Sequence, residues 1–443
     1  MNRYQMVVNQ IKNSLAVCEC DGAFLEIPID KIKGSVKEGD ILQQNDEGDY
    51  IVIMTNARIA IKTGPPVEGD DFYGREAELK YAFENHISKG VSILLSAPRR
   101  VGKTSFSRKM LELAKDKGWK TLYLDVEGIS TEKDFVSHFK KEIQSTKWWA
   151  QAGEKVVQIF KSINIEEVEF MGAKAKLDIA WRNDSYGKLR QLIEDAEEIL
   201  IVIDELTIYL NHLLAQENGK EKVEFFLEWL RNFRQTTKEI TKARWILCSS
   251  IGIENFASMH QLSKYFNDIH PFNIGPFSEC EAEDFILRLD INRNVQFTKE
   301  HIQYILEKLA WYLPFFIQIL VEKINFLVCV EGKSLSNDTI DEAYNRLIKE
   351  KHFNTWDERL TEYGELEDSA RKILNSCTLP DGESRGGLLA KLSARKSDHS
   401  KTETVLAKLL AMLQNDGYLV ENNGKYCFRS PLLRDFWYDR FIK

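Results

Sequence analysis

Residues 91–105 read Val91-Ser92-Ile93-Leu94-Leu95-Ser96-Ala97-Pro98-Arg99-Arg100-Val101-Gly102-Lys103-Thr104-Ser105, and an amphipathic helical pattern follows through Lys115. The order is strand, basic loop, helix. Such a loop has the composition of an anion cradle, because a helix N-terminus offers unpaired N–H groups and the positive end of the dipole. Gly102 allows close backbone approach, Lys103 reaches terminal phosphates as a point charge, and the Thr104 hydroxyl is suited to ligate Mg²⁺. Pro98, Arg99, Arg100 and Val101 complete the cradle, and Ser105 is placed beside the innermost phosphate. The familiar G-x-x-x-x-G-K-[ST] spacing is broken at its first position, where Ala97 stands and resists a positive φ.

A second run, Ile199-Leu200-Ile201-Val202-Ile203, has no polar alternation, as expected of a strand covered on both faces, and it ends in Asp204-Glu205. Successive strand residues point to opposite sides, so the two carboxylates take different work. Asp204 is the expected partner of the Mg²⁺ shell and Glu205 the expected base for the water that attacks the terminal phosphate. A third strand, Trp245–Ser250, ends in Ser249 and Ser250, whose hydroxyls suit either sensing of the phosphate or helix capping. The role of Asp125, at the end of the run Thr121–Asp125, stays open on sequence grounds.

The composition fits a soluble globular protein: 443 residues, 43% hydrophobic, 29% charged, only 24 Gly and 9 Pro. That length implies about three or four units. The start lacks a signal-peptide core, and no window approaches the ~18 apolar residues of a membrane span. Seven cysteines without paired spacing read as reduced thiols, which points to a cytoplasmic protein. Cys18 and Cys20 lie on one face of a strand, where packing is the simpler reading than metal binding. The formal charge of -8 argues against general nucleic-acid coating and leaves room for a local basic face.

Residues 1–63 are short alternating runs broken by turn pairs such as Asp21-Gly22, which reads as a small β domain. Its IPIDKIKGSVKEGDIL segment resembles a small bacterial β-barrel family that carries no assigned chemistry. Thr63-Gly64-Pro65-Pro66 reads as a linker. Residues 64–277 alternate apolar runs and helices, the pattern of a parallel sheet with helices on its faces; a hairpin is expected at Val168–Trp181. Residues 278–360 read as a helical lid with caps at Ser278 and Thr298. Residues 361–443 give helices over Leu366–Ser376, Gly386–Ser393 and Lys401–Asn415, then a two-stranded wing from Tyr418 to Phe428, which is the order of a winged helix-turn-helix.

Together, Phe72-Tyr73-Gly74-Arg75-Glu76, the Arg99–Ser105 loop and Ile203-Asp204-Glu205-Leu206 resemble prokaryotic AAA+/STAND ATPases, particularly the archaeal-ATPase group. Ser249-Ser250-Ile251-Gly252 is similar to the group's sensor-1 segment, Gly275-Pro276-Phe277-Ser278 to its entry into the lid, and Leu313-Pro314-Phe315-Phe316-Ile317-Gln318 to its lid helix. Ser430–Trp437 resembles the end of its winged helix. The resemblance covers about residues 70–443 and implies an α/β fold with a P-loop NTPase core, ATP and Mg²⁺ as cofactors, hydrolysis of ATP, Gly74 and Arg75 near base and ribose, and Pro314 near the nucleotide. No arginine lies between Arg244 and Arg288. A trans-acting arginine would therefore have to come from Arg231, Arg234 or Arg244, and a regulatory switch is favoured over a processive ring. The alternatives are ATP-controlled loading on double-stranded DNA through Lys401, Lys408, Arg395 and Lys396, and a non-hydrolysing scaffold. A protein partner for the N-terminal β domain and nucleotide-dependent homo-oligomerisation complete the expectations.

Overall fold

In the computed structural model the described residues are all but 1–4, 13, 21–22, 34–35, 37–39, 45–47, 55–57, 150–152, 164–173, 195–197, 241, 250–251, 293–294 and 394–398. The central sheet has five parallel strands: β1 (Ile93–Ser96), β2 (Lys120–Asp125), β3 (Glu198–Asp204), β4 (Lys242–Cys248) and β5 (His270–Asn273), in the order β5-β1-β4-β3-β2. Four of the strands match runs read from the sequence, with shifted ends. Alternate residues enter two separate cores. Ile93, Leu95, Leu200 and Val202 pack on one face, whereas Leu94, Ile199, Ile201 and Ile203 pack on the other. Burial on both faces is why β3 carries no polar residue between Glu198 at its start and Asp204 at its end.

The strand order matters for chemistry. The acidic strand β3 does not adjoin β1; β4 lies between them. In register, Leu247 pairs with Ile203, Cys248 with Leu95 and Asp125 with Asp204, so the carboxyl ends of these strands finish on one level. Loops leaving that edge of an open parallel sheet form a crevice for ligands.

An N-terminal six-stranded sheet, running from Gln5–Lys12 to Tyr50–Met54, has its own small core of Met6, Val8, Ala16, Cys18, Ile27, Ile32 and Leu42. Ile59 then pairs with Leu289, which ties the following segment to the helices after the central sheet. Those helices, Glu279–Arg288, Lys299–Leu309, Pro314–Cys329 and Asn337–Ile348, begin with the expected capping boxes at Ser278 and Thr298. Beyond them, helices Glu367–Ser376, Arg385–Leu392 and His399–Asn415 lead to the antiparallel pair Leu419–Asn422 and Lys425–Phe428 and a final helix, Pro431–Phe441. Strand Glu383–Ser384 joins that pair as a third member. One apolar core runs from β1 through these helices to Tyr418 and Trp437.

The expected hairpin at Val168–Trp181 is corrected in part. Residues 168–173 lie outside the described residues, while 174–181 belong to the helix Lys174–Glu194. The run Lys174-Ala175-Lys176-Leu177 consists of good helix formers, so its apolar alternation was a poor guide to strand. No helix among the described residues is long and apolar enough to cross a membrane.

Candidate functional site

The helix Lys103–Asp116 starts at Gly102, which has φ 98° and no side-chain cap, so its first N–H groups are open to an anion. The loop that feeds it needs left-handed backbone at Arg100 (φ 64°) and Gly102, but not at Ala97. That explains why alanine is tolerated at the broken motif position. Lys103 is 7% exposed, and its Nζ donates to the carbonyls of Ala97 at 2.8 Å and Pro98 at 3.1 Å, which holds the ammonium inside the curve of its own loop. Burial lowers its pKa to about 8, partly offset by the carboxylate of Glu205.

Asp204 is 3% exposed and accepts two hydroxyls on Oδ2, from Thr104 at 2.8 Å and Tyr123 at 2.8 Å. Its Oδ1 accepts the Glu205 N–H at 3.0 Å. Glu205 leaves the strand in the left-handed region (φ 58°) and begins the next helix, Leu206–Leu214. This turn directs Glu205 into a cavity of about 290 Å³ that is lined also by Arg75, residues 99–105, Pro314 and Phe315.

Most of the predicted residues therefore meet. Arg75, Arg99, Arg100, Val101, Gly102, Lys103, Thr104, Ser105, Glu205 and Pro314 all line this cavity, and Asp204 joins it through Thr104. Gly74 does not line the cavity; its φ is 66°, and a Cβ there would lie 3.4 Å from the Phe277 ring. Arg75 is largely occupied by its own surroundings: it donates to the Gly275 carbonyl and to Glu78 and lies over the Phe277 ring. Pro98 does not line the cavity and instead meets Lys103 through its carbonyl. Ser249 accepts the Thr207 N–H at 3.3 Å and so caps the helix that follows the acidic strand; Ser250 lies outside the described residues. Asp125 accepts the Glu127 N–H rather than entering the cavity.

Arg234 is bound to Asp268 and the Tyr265 carbonyl, and Arg244 donates to the Ala243 carbonyl beside Gly90. Neither they nor Arg231 line the cavity. Arg359, from the segment that precedes the C-terminal helices, does line it. Burial followed by the nearby Arg359 and Arg100 charges lowers the pKa of Arg99 to about 10. Such crowding of cations fits a site for a polyanion. Sequence reading missed Arg359, because it lies in an unremarkable stretch far from any motif. The same holds for Tyr123 and for Gly64, Pro65 and Pro66, whose linker composition hid a cavity wall.

The C-terminal unit closes on this edge of the sheet. Asp416, at the end of helix His399–Asn415, accepts the Gly252 N–H at 3.3 Å and the Tyr363 hydroxyl at 2.6 Å. Asn415 donates to Asn255 at 3.2 Å. A Cβ on Gly417 would lie 2.8 Å from Pro98 and 3.0 Å from Trp311, so the chain passes against the phosphate loop itself.

No protein-family model and no curated protein matches the chain by sequence. Among solved structures it is similar to a Walker-type ATPase of Pyrococcus abyssi, at 16% identity and a TM-score of 0.54, over 85% of this chain and 99% of that one. It is also similar to the ORC2 protein of Aeropyrum pernix, solved as ADPNP and ADP complexes, at 11% identity and a TM-score of 0.50, over 84% of this chain and 96% of that one. At such identities the likeness is one of fold, and with the five parallel strands and the loop at Gly102 it makes this chain a P-loop NTPase by fold.

Proposed function

We propose that the protein is an ATP-binding and ATP-hydrolysing regulatory switch of the AAA+/STAND kind, which couples nucleotide state to domain rearrangement or assembly. The observation that carries this reading is the contact of the C-terminal unit with the phosphate loop and with Gly252, next to the cavity that holds Lys103 and Glu205. Anything that reorders the loop acts on that contact directly. The oxygen pair of Thr104 and Asp204 suits Mg²⁺, a hard cation that takes hydroxyl and carboxylate donors. Those two residues would hold it, and when bound it neutralises charge on the phosphates. Lys103 and the open N–H groups at Gly102 bind and orient the phosphates, and Glu205 polarises the attacking water. Arg359 adds a cation from the same chain to the cavity lining. The N-terminal β domain is assigned to a protein partner, and assembly to a nucleotide-dependent homo-oligomer in the cytoplasm.

Lys103→Ala tests this reading. Isothermal titration should show at least about 100-fold weaker Mg-ATP binding by the folded variant, since a buried charge-assisted contact is lost. Unchanged affinity would place the nucleotide elsewhere.

A second reading, ATP-controlled DNA loading through a winged helix, is favoured by exposed Lys401 and Lys408 on the helix His399–Asn415. Arg395 and Lys396 lie outside the described residues. Lys408 also lies near His260 of the core, where it helps burial to lower the histidine pKa. If DNA binds there, replacing both lysines with alanine flattens the log-log salt dependence by about two units. Absence of duplex binding by the intact protein would leave this unit a packing domain.

A further inference from the structure

Gln318 stands in a run of buried residues, Phe315-Phe316-Ile317-Gln318-Ile319-Leu320-Val321, and is itself only 6% exposed. A polar side chain in such a place needs partners. One is clear: the Lys62 backbone N–H donates to Gln318 Oε1 at 2.7 Å. Only the carbonyl end of an amide accepts from an N–H, so this bond fixes which way round the side chain lies. The end left over is the Nε2 amino group, a donor. Gln318 also lines the cavity, together with Ile59, Phe72, Phe285, Pro314 and Phe315. These five offer apolar surface, with the Arg100 guanidinium over the Phe315 ring, and Lys103 and Thr104 line the same cavity. An amphiphilic ligand with a charged phosphate end and a flat heterocyclic end has one sensible orientation in such a cavity. Gln318 is the one side-chain amide among the described lining residues.

We propose that Gln318 reads the nucleobase: its amino group donates to N1 of adenine, with the Lys62 N–H as the clamp that presents it. The assignment rests on the cavity being the nucleotide site. Ring position N1 is a bare acceptor in adenine and an N–H donor in guanine, so a fixed donor facing N1 favours ATP over GTP, whereas N3 and N7 accept in both bases. A site built to hydrogen-bond a ligand discriminates against the analogue that leaves its polar group unpaired. Clamp and reader are separable, because glutamate retains the oxygen that accepts from Lys62 while replacing the donor with an acceptor.

The test measures affinities of the full chain for ATP, GTP and inorganic tripolyphosphate, in wild type and in Gln318→Glu and Gln318→Met. The expected result for Gln318→Glu is that the ATP:GTP affinity ratio falls by about tenfold or more, with tripolyphosphate affinity changed far less. Gln318→Met, which loses the donor without adding charge, should lower the ratio in the same direction in protein that melts cooperatively. An unchanged ratio in both variants overturns the assignment and leaves Gln318 a clamp for Lys62. An equal loss for ATP, GTP and tripolyphosphate overturns it too, as a general charge effect. Wild type that binds none of the three fails differently, since it removes the nucleotide reading on which the assignment stands.

Discussion

The two ends of the cavity are built in opposite ways. The lining proposed to hold phosphate comes from two short stretches, residues 99–105 and Glu205, each following a buried strand. The other end comes from segments scattered over the chain: Ile59 and Phe72 before the sheet, Phe285 after it, and Pro314 and Gln318 in a later helix. Rigid strands fix the first end. The second depends on how helices dock, and so does the C-terminal unit that covers the loop at Gly417. On the proposed reading, chemistry is placed where the scaffold is stiff, and selectivity and regulation where separate elements meet.

The sharpest way to break this division is at the stiff end. Glu205→Gln keeps size and hydrogen bonding but loses the carboxylate, so single-turnover hydrolysis should fall by ~10²–10⁴-fold with ATP affinity nearly unchanged. Near-normal hydrolysis would remove Glu205 from the chemistry. Absence of hydrolysis in wild type would instead favour a scaffold.

A smaller effect comes from pH. Burial places Lys103 at about 8, and the phosphates of ATP stabilise its charged form. Binding therefore takes up a proton above that value. Affinity should fall as pH rises from about 8 to 9.5, by at most ~tenfold per pH unit. It should level off below about 8, where the ammonium is already formed. Flat affinity from pH 7 to 9.5 would mean that the ammonium is not buried as described.

The same contrast governs what could be read from the chain. Gly102-Lys103-Thr104 and Asp204-Glu205 were legible because each is contiguous and follows an apolar run that only a buried strand explains. Arg359 was not legible, since nothing local distinguishes it from any helical surface arginine until the fold brings it to Lys103 and Glu205. Ser249 shows the converse. Its position at the end of β4 was legible, but whether its hydroxyl faced phosphate or capped a helix depended on Thr207, which only the fold places beside it.

On the proposed reading, nucleotide state reaches the C-terminal unit through the loop at Pro98 and the bonds of Asp416 to Gly252 and Tyr363. Hydrogen exchange on Glu205→Gln, which retains ATP, compares residues 252–256 and 412–419 with Mg-ATP and with ADP. The account predicts that exchange at these two segments differs between the nucleotides, in the same sense at both, while β3 stays equally protected. Indistinguishable exchange at both segments, with ATP shown to be bound, would contradict it.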